Sequence, residues 1–112
     1  MADRIASLQA QVDGPRDGAL LRFALGSALL EAGRANAACA ALRAAVGFDP
    51  GYSAAWKLLG KAHLAAGQRA QAGAAWREGI AAAETRGDKQ ARKEMQVFLR
   101  RLERDAGGPQ AS

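Results

Sequence analysis

Apolar and polar positions along this chain follow the spacing of an α-helix. Leu42, Ala45 and Val46 fall on one side of a helix, and Ala91 and Met95 begin a second apolar stripe near the end of the chain. Glycine and proline interrupt these stretches at residues 13–15 and 49–51. The pattern predicts helices at about residues 4–11, 17–32, 35–47, 53–66, 69–84 and 88–105.

The amino-acid composition supports a fold made of helices alone. Hydrophobic residues make up 49% of the 112 residues, which is enough for a folded chain. Much of this share is alanine, the best helix former, whereas the β-branched residues that strands need are scarce. We therefore expect an all-α protein.

The chain also repeats itself at a shift of 34 residues. Leu25-Gly26 corresponds to Leu59-Gly60, and Ala32-Gly33 corresponds to Ala66-Gly67. Further matches are Ala28 with Ala62, Leu30 with Leu64, Ala38 with Ala72, Leu42 with Trp76 and Val46 with Ile80. The second glycine of each unit lies between two helical patterns, as a turn glycine does. Each unit is therefore predicted to be two antiparallel helices that approach closely at Gly26 and Gly60.

This content at a 34-residue period resembles the tetratricopeptide repeat. The second unit carries the family motif as Trp56, Leu59, Gly60, His63, Ala72 and Trp76, with histidine for the family's tyrosine and tryptophan for its phenylalanine. The first unit carries it as Arg22, Leu25, Gly26, Leu29, Ala38, Leu42 and Asp49-Pro50, without the leading aromatic. Glu84 stands where the proline of the second unit would be. The resemblance covers about residues 19–86 and implies a stack of helical hairpins, an alpha-alpha superhelix.

We expect a single domain over residues 1–105. Its first repeat spans about 19–52 and its second about 53–86, and a capping helix at about 88–105 covers the exposed side of the second repeat. A flanking N-terminal helix covers the other end. Residues 106–112 are predicted to be a disordered tail. Because both ends of the stack are covered, we expect a monomer rather than a homodimer.

The sequence offers few groups for catalysis. His63 is the only histidine and Cys39 the only cysteine, so we expect neither an intramolecular disulfide nor a structural zinc site. Phosphate-binding loops and hydrolase motifs do not occur in the sequence. We predict that His63 packs between helices, that Cys39 is a small packing residue with no histidine near it, and that Trp56 and Trp76 belong to the core. The chain is therefore not expected to be an enzyme, and we expect no cofactor and no metal.

The resemblance implies that the first helix of each repeat lines a concave face that binds a peptide or protein partner. Transferred to this sequence, the lining positions are Leu20, Phe23, Ser27, Leu30 and Glu31 in the first repeat and Ala54, Lys57, Lys61, Leu64 and Ala65 in the second. Lys57 and Lys61 are four residues apart and share a helical face, so they predict a positive wall suited to an acidic segment or a C-terminal carboxylate. The family's carboxylate-binding version also uses asparagines on these helices, and the only asparagine here is Asn36. A solvated lysine pair is the alternative interpretation.

The charge of the chain leaves a second function open. The formal net charge is +5 at pH 7, and the positive excess lies in the C-terminal half. The last predicted helix carries Lys89, Arg92, Lys93, Arg100, Arg101 and Arg104, which makes nucleic-acid or acidic-partner binding the alternative function. Exposed aromatic residues for base stacking are missing there, and acidic residues break up the positive field, so we rank it below protein binding. Those acidic residues are Asp88, Glu94, Glu103 and Asp105.

The location of the protein is predicted from what its sequence lacks. It has no apolar stretch that approaches the ~20 residues of a membrane span, and its first residues do not form a signal peptide. We expect a cytoplasmic protein without a membrane partner.

Overall fold

The computed structural model describes the backbone of residues 2–111 and the side chains of residues 3–105. All regular structure in that backbone range is helical, which confirms the predicted all-α class. The helices are α1 (Ala2–Gln9), α2 (Ala19–Glu31), α3 (Ala35–Phe48), α4 (Ser53–Ala65), α5 (Arg69–Arg86) and α6 (Lys89–Ala111). The predicted disordered tail, residues 106–112, lies outside the residues whose side chains are described, and it stays a prediction. No helix within residues 2–111 is long and apolar enough to cross a lipid bilayer.

A left-handed glycine ends the first helix of each hairpin. Gly33 follows α2 with φ 78° and Gly67 follows α4 with φ 77°, a conformation that costs glycine little because it has no Cβ. The backbone N–H of Arg34 then donates to the Leu29 carbonyl at 2.9 Å, which closes the end of α2. The turn glycines predicted from the repeat are therefore confirmed.

Each hairpin closes around a second glycine, inside its first helix. A Cβ placed on Gly26 would stand 2.5 Å from Cγ of Leu42 on α3. A Cβ placed on Gly60 would overlap the indole of Trp76 on α5. Both large side chains are almost fully buried, at 0% and 2% exposure. The missing side chain at the glycine thus makes the space that the large residue fills.

The sixth helix packs on α5 and also contacts α4, where the first helix of a further hairpin would lie. Asp88 caps it by accepting a 3.1 Å hydrogen bond from the backbone N–H of Ala91. Ala91, Met95 and Leu102 are buried against α5, as the predicted apolar stripe requires. At the other end of the stack α1 contacts α2, and Ile5 enters the core at 5% exposure.

Candidate partner-binding face

The helices α2, α4 and α6 lie side by side, because α4 contacts both of the others. We call the surface that they share the α2/α4/α6 face. Among the predicted positions on α4, Lys57 and Lys61 contact α6, while Phe23 of α2 contacts Tyr52 just before α4. Phe23, Lys57 and Lys61 therefore lie where neighbouring helices of this face meet.

Lys57 on this face forms an ion pair with Glu94 of α6. Its Nζ lies 2.7 Å from Oε1 of Glu94, and the two side chains are 27% and 38% exposed. The hydrogen bond from Lys57, and next its positive charge, hold the pKa of Glu94 below its usual range. The predicted positive wall is therefore altered, since one of its two lysines already has a carboxylate partner within the chain.

Lys61 keeps its charge available on the same face. Its Nζ stands 5.0 Å from the ring centroid of Phe98 on α6, close enough for a cation–π contact. No carboxylate of the described residues lies within 4.0 Å of it, and the residue is exposed. Of the two predicted lysines, Lys61 is thus the one without an ion-pair partner among the described residues, and its charge also helps to lower the pKa of the nearby Glu94.

The apolar residues of the face differ in how available they are. Leu20 is 73% exposed and Leu64 is 40% exposed. Leu30 and Phe23 are only partly buried, but they pack against the core, and the Phe23 ring lies 5.0 Å from the Tyr52 ring, centroid to centroid. The predicted binding residues Leu20 and Leu64 are therefore open to a partner, whereas Phe23 and Leu30 also hold the fold together. Tyr52 was not among the predicted residues, although it directly follows the predicted break at residues 49–51.

A buried polar cluster joins α3 to α4. His63, at 3% exposure, places Nδ1 3.5 Å from Sγ of Cys39 and 2.7 Å from Oε1 of Gln68. Its Nε2 lies 3.1 Å from Nη2 of Arg43. The prediction that His63 packs between helices is confirmed. The prediction that Cys39 has no histidine near it is wrong, because the two residues lie 24 positions apart and only the packing of α3 on α4 brings them together.

The hydrogen bonds of this cluster determine whether His63 can activate the Cys39 thiol. A guanidinium only donates, so Nε2 of His63 accepts from Arg43 and the ring proton lies on Nδ1, pointing at the Gln68 oxygen. Nδ1 then has no lone pair with which to take the proton of Cys39, and burial raises the pKa of that thiol. The contact therefore lacks the activated thiol of a cysteine–histidine nucleophile pair. Among the described residues, no three His, Cys, Asp or Glu side chains are grouped so that they could hold a metal ion.

The acidic residues on and beside α6 face its neighbours. Glu94 pairs with Lys57, Glu103 lies 3.3 Å from Arg77 of α5, and Asp88 accepts from the Ser53 hydroxyl at 2.8 Å. The basic residues Lys89, Lys93, Arg100 and Arg104 are exposed, and their spacings of four, seven and four residues put them on one side of the helix. The expectation that acidic residues interrupt this row is therefore met only by Asp105, which lies 4.0 Å from Arg104, while the other three face neighbouring elements.

These features define a short helical-repeat protein in which paired antiparallel helices stack around glycine contacts. No family model matches the chain. The TPR repeat-containing protein PA0015 of Pseudomonas aeruginosa is 59% identical to it over 88 residues, which cover 79% of this chain and 84% of the relative. The solution structure of protein BPP2914 from Bordetella parapertussis matches with a TM-score of 0.77 and 50% identity, over 90% of this chain and 88% of that one.

The chain therefore belongs to the tetratricopeptide-repeat family. The family consists in general of non-catalytic scaffolds that mediate protein–protein interactions. The resemblance given by the repeat motif is confirmed, and the helical-repeat fold with it.

Proposed function

We propose that this protein binds a peptide or protein partner along the α2/α4/α6 face. The observation that carries the proposal is where apolar surface is left open. Of the three large hydrophobic residues that are exposed among the described side chains, Leu20 and Leu64 lie at predicted groove positions, and the third is Phe48. Leu20 lies in the first turn of α2 and Leu64 in the last turn of α4, so exposed apolar side chains stand at both ends of this face.

The partner that fits this face carries acidic groups near apolar ones. Lys61 supplies an exposed cation one helical turn before Leu64, whereas the charge of Lys57 is already met by Glu94. Neutralising Lys57 alone should therefore matter less for the binding of an acidic partner than neutralising Lys61. Ser27, which lies one helix away on α2, adds a small polar position at which a partner backbone can approach.

The proposal is tested by affinity capture from the source cells with a groove variant and a matched control. The groove variant is Ser27→Glu with Lys61→Glu, which changes the net charge by −3 on α2 and α4. The control is Arg34→Glu with Ala40→Glu, which makes the same change of charge at two exposed positions. Arg34 directly precedes α3, and Ala40 lies on it. We expect partners that the wild type and the control retain but the groove variant loses. Equal loss from both variants, or equal retention, contradicts binding on this face.

A second candidate function is favoured by the basic row on α6. Because Glu94 and Glu103 pair with Lys57 and Arg77 of other helices, Lys89, Lys93 and Arg100 present positive charge that suits phosphates or an acidic protein, while Arg104 lies 4.0 Å from Asp105. A random-sequence oligonucleotide should then bind at low salt, and binding should weaken with Lys93→Gln plus Arg100→Gln but not with Arg16→Gln plus Arg34→Gln. The absence of binding at low salt ends the nucleic-acid version of this function.

A further inference from the structure

A small pocket opens where the end of α4 meets α5 and α6. Its volume is about 160 Å³. Apolar side chains and two arginines line it together with one carboxylate: Leu64, Trp76, Phe98, Leu102, Arg69, Arg101 and Asp105. The pocket adjoins the α2/α4/α6 face at Leu64, and neither the repeat motif nor the predicted groove positions include its arginines.

The apolar wall of the pocket is held rigidly. Trp76 is 2% exposed, its Nε1–H donates to the Lys57 carbonyl at 3.1 Å, and its ring lies 5.4 Å from the Phe98 ring, centroid to centroid. Leu102 is also buried, at 9% exposure. Leu64, at 40%, is the one wall residue with a large exposed area. A rigid apolar wall with one open side is the arrangement in which a partner's side chain gains most from burial.

The charge around the opening favours an anion. Nη2 of Arg69 donates to the backbone carbonyl of Leu102 at 3.2 Å, which fixes that guanidinium beside the pocket. Arg101 is exposed and has no carboxylate within 4.0 Å among the described residues. The Asp105 carboxylate instead lies 4.0 Å from Arg104. Two guanidinium groups therefore face the opening against a single, partly matched carboxylate.

We infer that this pocket takes one large apolar side chain of the bound partner, next to an acidic residue whose carboxylate meets Arg101. The inference rests on the proposed partner-binding function and names the short motif that the partner would carry. A cavity of roughly 150 Å³ holds a benzene-sized group, so a phenylalanine or leucine side chain fits. Arginine suits the neighbouring carboxylate because its guanidinium forms charge-assisted hydrogen bonds in pairs.

The chain's own C-terminal residues do not offer this motif. Residues 106–112 read Ala-Gly-Gly-Pro-Gln-Ala-Ser, which contains no large apolar side chain and no acidic side chain. The alternative occupant of the pocket is the Phe48 side chain of a second copy of the chain, because Phe48 is 55% exposed. A concentration-dependent dimer in sedimentation, lost in Leu64→Ala, would overturn the assignment to a partner peptide.

The test is an NMR titration of the full chain with three short peptides. The probe is acetyl-Ala-Phe-Glu-Ala-amide, and the two comparison peptides replace Glu by Gln or Phe by Ala. We expect the probe to shift the Leu64 methyl and Trp76 indole signals and to bind about fivefold tighter than either comparison peptide, as an exposed charge pair or a partly buried ring allows. Equal affinity for all three peptides, or shifts only elsewhere, would overturn the inference.

A matched pair of variants separates the pocket from general charge. Arg101→Gln should reduce the affinity for the probe to that for the Gln peptide, whereas Arg100→Gln, one residue away on the exposed basic side of α6, should leave it unchanged. Equal losses in both variants would overturn the role of Arg101.

The same variants keep this inference distinct from the proposed function. If Arg101→Gln and Leu64→Ala retain every captured partner that Ser27→Glu with Lys61→Glu loses, the pocket assignment fails and the partner-binding face stands. If the probe binds in the pocket while the groove variant loses no partner, the proposed face fails and the pocket stands.

Discussion

The two hairpins of this protein use equivalent positions for different chemistry. In the first hairpin, α2 and α3 close with Leu42 against Gly26; in the second, α4 and α5 close with Trp76 against Gly60. Leu42 is fully buried in the hydrophobic core that surrounds the first hairpin. Trp76 also extends to α6, where it contacts Phe98 and lines the pocket. The larger residue therefore adds a contact with α6 and one wall of a pocket to the same glycine contact.

A second pair of equivalent positions shows the same contrast. Leu29 in the first hairpin is an apolar core residue, whereas His63, 34 residues later, ties α4 to α3 through Arg43 and to the following turn through Gln68. An aliphatic side chain fills space at this position, and an imidazole fills it while also binding polar groups. At this position the second hairpin thus adds polar contacts where the first has apolar packing alone.

The glycine contacts should show the largest difference between the hairpins. Adding a methyl group overpacks the core at a cost of about 1–3 kcal/mol, and alanine returns up to about 1 kcal/mol of helix propensity. Gly60→Ala should lower the free energy of unfolding by about 2 kcal/mol, because Trp76 is large and hydrogen-bonded. Gly26→Ala should lower it by less, about 1 kcal/mol, because the leucine can rotate. Urea unfolding measures both.

A double variant sharpens this prediction. Gly60→Ala with Trp76→Leu sets the added methyl group against a smaller side chain, so the double variant should be more stable than the sum of its single variants predicts by about 1 kcal/mol. If the two changes in the free energy of unfolding simply add, residues 60 and 76 are not coupled, and the contact between Gly60 and the indole does not set the cost of Gly60→Ala.

The His63 position should give the next largest effect. His63→Leu makes the second hairpin resemble the first, but it leaves Gln68 and Arg43 without their ring partner. Because part of this cluster is buried, we expect the free energy of unfolding to fall by about 1 kcal/mol. The conservative variant His63→Gln should recover part of the loss. A more stable His63→Leu protein would contradict a bonding role for the cluster.

The smallest effect should come from an ion pair beside the first hairpin. Arg22 donates two 2.8 Å hydrogen bonds to Asp17 and holds the pKa of that carboxyl well below its usual range. Because the folded pKa lies below the unfolded value of about 3.9, the pair stabilises the protein above that pH and loses this effect as the pH falls towards the folded pKa.

The measurement is denaturant unfolding at several pH values between 7 and 2. Arg22→Met should be less stable than the wild type at pH 7, and the difference should shrink as the pH falls below about 4. Arg16→Met, a change of the same charge at an exposed neighbour, should show no such pH dependence. A constant difference at every pH would mean that Arg22 acts through its packing alone.

The sequence predicts most of the fold because the signals for each hairpin lie close together in the chain. The helix spacing, the turn glycines and the glycine-to-large-residue matches each depend on residues within one 34-residue unit. The pairing of Lys57 with Glu94 depends instead on how α6 lies along α4, and the contact of Cys39 with His63 depends on how α3 packs on α4. No local pattern specifies how these helices lie against one another. The two lysines were therefore predicted to be equally available to a partner, and Cys39 to have no histidine near it.

The meeting of Arg69 and Arg101 at one pocket was not predicted, for the same reason. Arg69 begins α5 and Arg101 lies on α6, so only the tertiary packing brings them to one opening. In the sequence Arg101 is one basic residue among several on its helix, and nothing separates it from Arg100. Their different surroundings follow from the rotation of α6 on its neighbours.

The most direct test of the account is to map a captured partner onto the isotopically labelled chain by NMR. We predict that backbone signals at Ser27, Lys61 and Leu64 on the α2/α4/α6 face shift on binding, while those of Ala40 and Gln71 on α3 and α5 keep their positions. Shifts confined to α3 and α5 would contradict the proposed binding face.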